Sequence, residues 1–302
     1  MGAGFEHGRG AALKLFIFGF GYSASYFART RAASFATVCG TVRDAARAAA
    51  LPACGVTGLV FDGAQVDGAQ VDGALPACLA QADALLVSIP PDGATDPALR
   101  QFRAQIAAAP GLQTIVYLST IGVYGDHDGA WVDEASATRP GSARNQARIG
   151  AEQAWLALGR DTGKAVHVLR LAGIYGPGQN VLEKLRGGTA QRIVKPGQVF
   201  NRIHVEDIAR AIAAAFAPGV AGGIVNVTDD EPAPPQDVML FGADLLGIVP
   251  PPPLDFGTAQ LSPMARSFYG ENKRVRNGRL KGALGVALAY PTYREGLRAL
   301  AG

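Results

Sequence analysis

Two glycines and an alanine stand at a chemically suggestive spacing near the start of the chain, in Gly19-Phe20-Gly21-Tyr22-Ser23-Ala24. They follow a short apolar, aromatic-rich run, Leu13 to Phe18, and precede a helix-compatible stretch, Ser25 to Ala33. Gly19 can make the tight turn. Gly21 removes the Cβ that would keep the backbone from a pyrophosphate, and Ala24 lets the helix pack closely on the strand. The helix start presents free N–H groups to an anion, with Phe20, Tyr22 and Ser23 supplying the backbone between and after the glycines. In a chain with 39 glycines the motif alone is weak. Its place after a first strand and ahead of a second gives it weight.

A second predicted strand, Ala36 to Val42, ends in Arg43-Asp44. An acid at such a strand end would take both ribose hydroxyls of NAD, whereas an arginine pairs with the 2′-phosphate of NADP. Arg43 comes first, so NADP is the expected cofactor and NAD stays open. Asp44 suits the N-cap of a helix over Ala45 to Leu51. The alternative for Arg43 is an exposed charge with no ligand. A third strand, Gly58 to Phe61, ends in Asp62, which either reaches the adenine amino group or is a plain turn residue before Gly63. The tandem DGAQV repeat over Asp62 to Ala74 reads as a surface insertion. A fourth strand, Ala84 to Ile89, is broken by Pro90-Pro91, so that Ser88 and Pro90 fall at the carboxyl edge where a cofactor would lie.

A fifth strand, Thr114 to Leu118, runs into Ser119-Thr120-Ile121-Gly122-Val123-Tyr124-Gly125. Together with the glycine turn, with Leu169-Arg170-Leu171-Ala172-Gly173-Ile174-Tyr175-Gly176-Pro177-Gly178 and with Ile203-His204-Val205-Glu206-Asp207-Ile208-Ala209, this resembles the extended short-chain dehydrogenase/reductase superfamily, the NAD(P)-dependent epimerase/dehydratase group. The resemblance covers roughly residues 13 to 230, with the motifs in family order. It implies an α/β fold: a Rossmann-type, doubly wound parallel sheet with a smaller C-terminal substrate lobe. The expected partition is a tail (1–12), a cofactor-binding domain (13–228, with 176–200 partly contributing to the lobe) and the lobe (229–302). It also implies carbonyl or alcohol chemistry through a Ser/Thr-Tyr-Lys set, with Ser119 near the cofactor and Thr120 in the place of the Ser/Thr.

Here the chain departs from the family. Aligned through Glu152, Arg144 and Arg148 stand where the tyrosine and lysine belong. Arg148 can replace the lysine as a cationic donor to the cofactor ribose. Arg144 cannot replace the tyrosine, because a guanidinium keeps its proton near neutrality, although it can clamp a carboxylate or stabilise an oxyanion. Both are otherwise ordinary solvent-facing charges at i, i+4. Tyr124 and Tyr175, beyond strand ends, are candidates for pocket lining, and Tyr124 for proton transfer. Asn180 is a candidate polar contact with substrate or a loop staple, and His204 a substrate contact or the orienter of a loop. Gly173 stands where many nucleotide-sugar members carry asparagine, which argues against a sugar-nucleotide substrate.

The remaining chemistry is sparse. The 302 residues carry 28 Lys and Arg against 25 Asp and Glu and are 48% hydrophobic, so a large core is within reach and disorder is excluded. The charge is scattered, and neither a nucleic-acid partner nor a membrane is expected. Cys39, Cys54 and Cys78 read as small core residues. The four histidines show no ligand spacing, and Gly125-Asp126-His127-Asp128 reads as a solvated turn, so no metal is expected. Leu13 to Phe20 after Arg9 is better used as a buried strand than as a signal peptide, which places the protein in the cytoplasm. Pro291 suits the first turn of a closing helix. A homodimer is open. The expected function is an NADP(H)-dependent oxidoreductase or epimerase acting on a small polar carbonyl or alcohol. The alternative is a catalytically impaired NADP(H)-binding sensor or regulator, motivated by Arg144.

Overall fold

The computed structural model describes residues 12–63, 72–93 and 95–302. The first strand, β1 (Lys14–Phe18), alternates its side chains across the sheet: Leu15 and Ile17 enter one core, Phe16 and Phe18 the other. A strand buried on both faces is a central strand of a covered parallel sheet. The sheet is completed by β2 (Thr37–Val42), β3 (Thr57–Val60), β4 (Ala84–Val87), β5 (Thr114–Thr120), β7 (Ala165–Leu171) and β11 (Gly223–Val227). Its order is β11-β7-β5-β4-β1-β2-β3, and every pairing is parallel. The order reverses between β1 and β4, opening a crevice at their carboxyl ends. The expected doubly wound sheet is the fold observed.

Helices cover both faces. On one side lie α1 (Tyr22–Arg31), α2 (Ala45–Ala50) and α7 (Val205–Ala215), burying Phe27, Leu51 and Ile212. On the other lie α3 (Leu75–Ala80), α4 (Pro97–Ala108) and the long α5 (Ala143–Thr162), which buries Trp155. Short strands β6 (Trp131–Val132), β8 (Gly173–Tyr175), β9 (Arg192–Val194), β10 (Arg202–His204), β12 (Pro253–Asp255) and β13 (Arg274–Val275) pair as β6–β13, β8–β10 and β9–β12 beyond the sheet. A separate core forms among α6 (Val181–Arg186), α8 (Pro235–Leu246) and α11 (Tyr293–Ala301). The short helices α9 (Pro263–Tyr269) and α10 (Gly278–Gly282) lie between α8 and α11 in the chain. Leu280, Leu284 and Val286 belong to the core beneath α1 and α7, so the chain returns to the sheet before α11.

Several local expectations shift. Helix α1 begins at Tyr22, not Ser25, with Gly21 as N-cap. Strand β4 ends at Val87. Ser88 N–H still bonds Phe18 O, but Pro90 and Pro91 carry no N–H to extend the ladder. Cys54 is exposed at the end of a short 3₁₀ turn rather than in the core. The closing helix starts at Tyr293 instead of at Pro291, because Thr292 and Glu295 form a capping box. Arg9 and most of the DGAQV repeat (64–71) lie outside the described residues. Among the described residues no helix is long and apolar enough to cross a membrane.

Candidate active site

The glycine turn has the conformation its residues allow. Gly19 holds φ +86°, a left-handed geometry that a side chain resists, and a Cβ there would meet Ile89 Cγ2 at 2.5 Å. Its N–H bonds Thr41 Oγ1 at 2.9 Å, which fixes the turn against β2. Phe20 turns its ring into the core over Gly40, where a Cβ would lie 2.8 Å from it, so only its backbone faces outward. Above Gly21 there is open space. Helix α1 begins with no side-chain cap, and Ser25 N–H bonds the Gly21 carbonyl, so the leading amides are left for an outside acceptor.

A cleft of about 600 Å³ lies over this turn. Of the residues expected to hold a cofactor, Gly19, Phe20, Gly21, Arg43, Asp62, Ser88 and Pro90 line it. Tyr22, Ser23, Ser119 and Arg148 do not. Tyr22 instead reaches across the chain: its hydroxyl donates to the Pro177 carbonyl at 3.0 Å, an approach that requires glycine at 176. Ser23 is buried in the first turn of α1. Arg47, not anticipated, also lines the cleft. Asp44 caps α2 by accepting from Arg47 N–H at 2.8 Å, so the cap places this second guanidinium one turn along from Arg43. Among the described residues neither guanidinium has a hydrogen-bonding or ionic partner. The position of Arg47, in the first turn of a capped helix after Arg43, was the available signal.

The second centre lies at the carboxyl end of β5. Thr120 Oγ1 accepts from Gly122 N–H at 3.1 Å, which orients the hydroxyl and leaves its proton uncommitted. Arg148 Nη1 donates to Tyr117 Oη at 3.1 Å and to Leu118 O at 2.9 Å, against the flank of β5. Arg144, one turn earlier on α5, is exposed and has no partner among the described residues. Asn145 beside it lies against Gly122, where a Cβ would be 2.9 Å from Asn145 Oδ1, and it donates to Glu271 Oε1 at 3.3 Å. Asn145 and Glu271 carried no signal in the sequence, being 126 residues apart.

Tyr124, expected among the reacting groups, is a buried strut. It is fully enclosed, its hydroxyl donates to Asn226 Oδ1 at 2.8 Å, and the Arg170 guanidinium lies 4.9 Å from its ring centroid. Burial pushes the phenol up, away from proton transfer near neutrality. Ser119 donates to Glu152 Oε1 at 2.5 Å, and Arg170 grips both oxygens of that carboxylate.

The expected substrate contacts separate. Asn180 caps α6, accepting from Glu183 N–H and donating to Gly176 O, so both ends of its amide serve the loop. Tyr175 and His204 face each other on β8 and β10, ring centroids 5.2 Å apart, and His204 packs 4.1 Å from Tyr290. His204 Nδ1 accepts from Glu206 N–H, and burial lowers its pKa to about 4. It is a neutral helix cap, with Asp207 tethering Ala289 and Tyr290 through their amides. Asp126 accepts from Asn272 N–H and belongs to the loop contact rather than to a ligand set.

Comparison with known proteins fits this geometry. The model of the NAD dependent epimerase/dehydratase family matches residues 102–228. Protein YeeZ of Escherichia coli (strain K12) is 30% identical over 221 residues, 70% of this chain and 73% of that protein. The chain belongs to this family. A conserved protein of unknown function from Silicibacter pomeroyi has a similar structure, 46% identical with a TM-score of 0.84, over 96% of this chain and 98% of that one. A 3-diazoavenalumate denitrifying reductase from a Streptomyces species is 33% identical over 143 residues, 43% of this chain, and the match spans 45% of the reductase.

Proposed function

We propose that the protein is an NADP(H)-dependent oxidoreductase of the extended short-chain type, acting on a small polar carbonyl or a comparable electrophile. The observation that carries the cofactor preference is the pair Arg43 and Arg47, two guanidinia without a partner among the described residues, on the wall of the cleft over the glycine turn. The donor set suits a phosphorylated dinucleotide: open space at Gly21 and uncapped amides for the pyrophosphate, and two cations for a 2′-phosphate. When bound, the nicotinamide would supply or accept the hydride. Thr120 would donate a hydrogen bond from its hydroxyl to the substrate oxygen, with water supplying the proton that completes the alcohol, and Arg148 would hold the end of β5 in place. Similarity to a named reductase supports reduction as the working direction.

A second reading has its own observation. With arginine at 144 and the Tyr124 hydroxyl enclosed, this end of β5 presents no tyrosine able to pass a proton, which suits a protein that binds the dinucleotide without turnover. The test is fluorescence titration with NADPH and NADH, followed by a screen of carbonyl substrates for cofactor oxidation. Arg43→Ala should weaken NADPH by about 10- to 100-fold, the range for a charge-assisted contact, and leave NADH within a few fold. Equal losses for both would remove the 2′-phosphate assignment. Tight NADPH binding with no turnover across a broad panel would favour the second reading.

A further inference from the structure

We infer that the substrate is an organic anion, a small carboxylic acid, and that Arg144 is the group that holds its carboxylate. This deepens the proposed oxidoreductase reading and rests on it. The first support is placement. Helix α5 packs along β5: Trp155 stacks with Tyr117, Glu152 takes the Ser119 hydroxyl, and Asn145 lies against Gly122. Its opening turn therefore stands at the carboxyl end of β5, beside the loop that orients Thr120. Arg148, one turn deeper on the same helical face, already reaches Leu118 O and Tyr117 Oη. Arg144 is the next residue out on that face.

The second support is charge. The carboxylates around this turn are spoken for. Glu152 is gripped by Arg170 and Ser119. Glu271, which Asn145 touches, pairs through Oε2 with Lys273 Nζ at 2.7 Å, and that ammonium also bonds the Gly125 carbonyl at 2.8 Å. Asp126 accepts from Asn272 N–H. Arg144 is left as an exposed cation with no counter-charge among the described residues.

The third support is chemistry. A guanidinium offers a planar fork of donors that fits a carboxylate in a bidentate pair, and it does not release a proton near neutrality. Placed here, it cannot do the work of a phenol but can fix an anion beside Thr120. A ligand without negative charge would leave this donor set unused.

The experiment measures displacement by matched acids and amides from the enzyme saturated with NADPH. The probes are benzoate against benzamide and propionate against propionamide, read by change in bound NADPH fluorescence. At least one acid should bind ten-fold or more tightly than its amide. Arg144→Gln should abolish that preference while leaving the NADPH dissociation constant unchanged, and Arg144→Lys should restore part of it. The inference is overturned if NADPH binds but neither acid is preferred, or if Arg144→Gln keeps the preference. Failure of the wild-type protein to bind NADPH would instead strike the cofactor reading beneath it.

Discussion

Arg170 donates to both oxygens of the Glu152 carboxylate, from Nε to Oε1 at 3.1 Å and from Nη2 to Oε2 at 2.7 Å, across the packing of α5 on β7, with both side chains almost wholly out of solvent. Each partner has further work: Glu152 takes the Ser119 hydroxyl, and the guanidinium underlies the ring of Tyr124. The pair thus links α5, β5 and β7 just beneath the end of β5 that carries Thr120.

Removing one member of that pair should be far worse than removing both. A single Glu152→Ala or Arg170→Met change strands a buried charge, at a cost of about 3–5 kcal/mol, whereas a matched apolar double replacement is often close to neutral. Chemical denaturation of the two single variants and of Glu152→Leu/Arg170→Met checks this. Equal destabilisation of single and double variants would show that the ion pair contributes beyond mutual compensation.

The doubly wound parallel sheet and the glycine turn were legible because they are written locally, in apolar runs and in residues with special backbone freedom. The groups that misled were those whose partners are distant. Tyr124 sits after a strand like a reacting residue, but Asn226, 102 positions away, takes its hydroxyl. Glu152 served only to align a helix until Arg170 was seen to face it. Thr292-Tyr293-Arg294-Glu295 was a readable capping box, and the neighbouring Pro291 drew the helix start two residues early. Asn180 shows the opposite outcome: of its two readings, substrate contact and loop staple, the staple depends only on near neighbours, and both ends of the amide bond within the loop.

The two glycines should separate stability from binding. At Gly19, alanine would have to hold φ near +86° with its Cβ 2.5 Å from Ile89, so Gly19→Ala should cost about 1–3 kcal/mol and distort the cleft wall. At Gly21 the space is open and φ is −83°, so Gly21→Ala should leave the unfolding midpoint nearly unchanged while weakening NADPH at least ~10-fold, as a methyl fills the anion's approach. Thermal unfolding and NADPH titration of both variants decide it. Unchanged NADPH affinity in Gly21→Ala would mean that the pyrophosphate lies elsewhere.

Asp229 gives the stability a pH dependence. Burial pushes its carboxyl from 3.8 to about 8, partly opposed by Arg202. Between pH 4 and 8 the folded chain keeps a proton that the unfolded chain has released, so this contribution to stability falls as pH climbs, and the loss is complete above about 8. Asp229→Asn keeps an acceptor for Glu231 N–H and removes the titration. Denaturation midpoints at pH 5, 7 and 9 should fall less steeply in the variant. Parallel slopes would place the proton on another group.

Thr120 and Tyr124, four residues apart, should fail in opposite ways. Tyr124→Phe removes the donor to Asn226 Oδ1 inside the core, so it should cost about 1–3 kcal/mol of stability while the folded fraction keeps its activity per molecule. Thr120 is half-buried, and its main protein contact is acceptance from Gly122 N–H, so Thr120→Ala should cost less than about 1 kcal/mol. If the hydroxyl donates to the substrate oxygen, that variant should bind NADPH normally and lose at least ~100-fold in kcat, the scale of a lost oxyanion donor. Measuring kcat, NADPH affinity and unfolding free energy on both proteins resolves the roles. Full turnover in Thr120→Ala, or its loss in well-folded Tyr124→Phe, would exchange the two residues' parts.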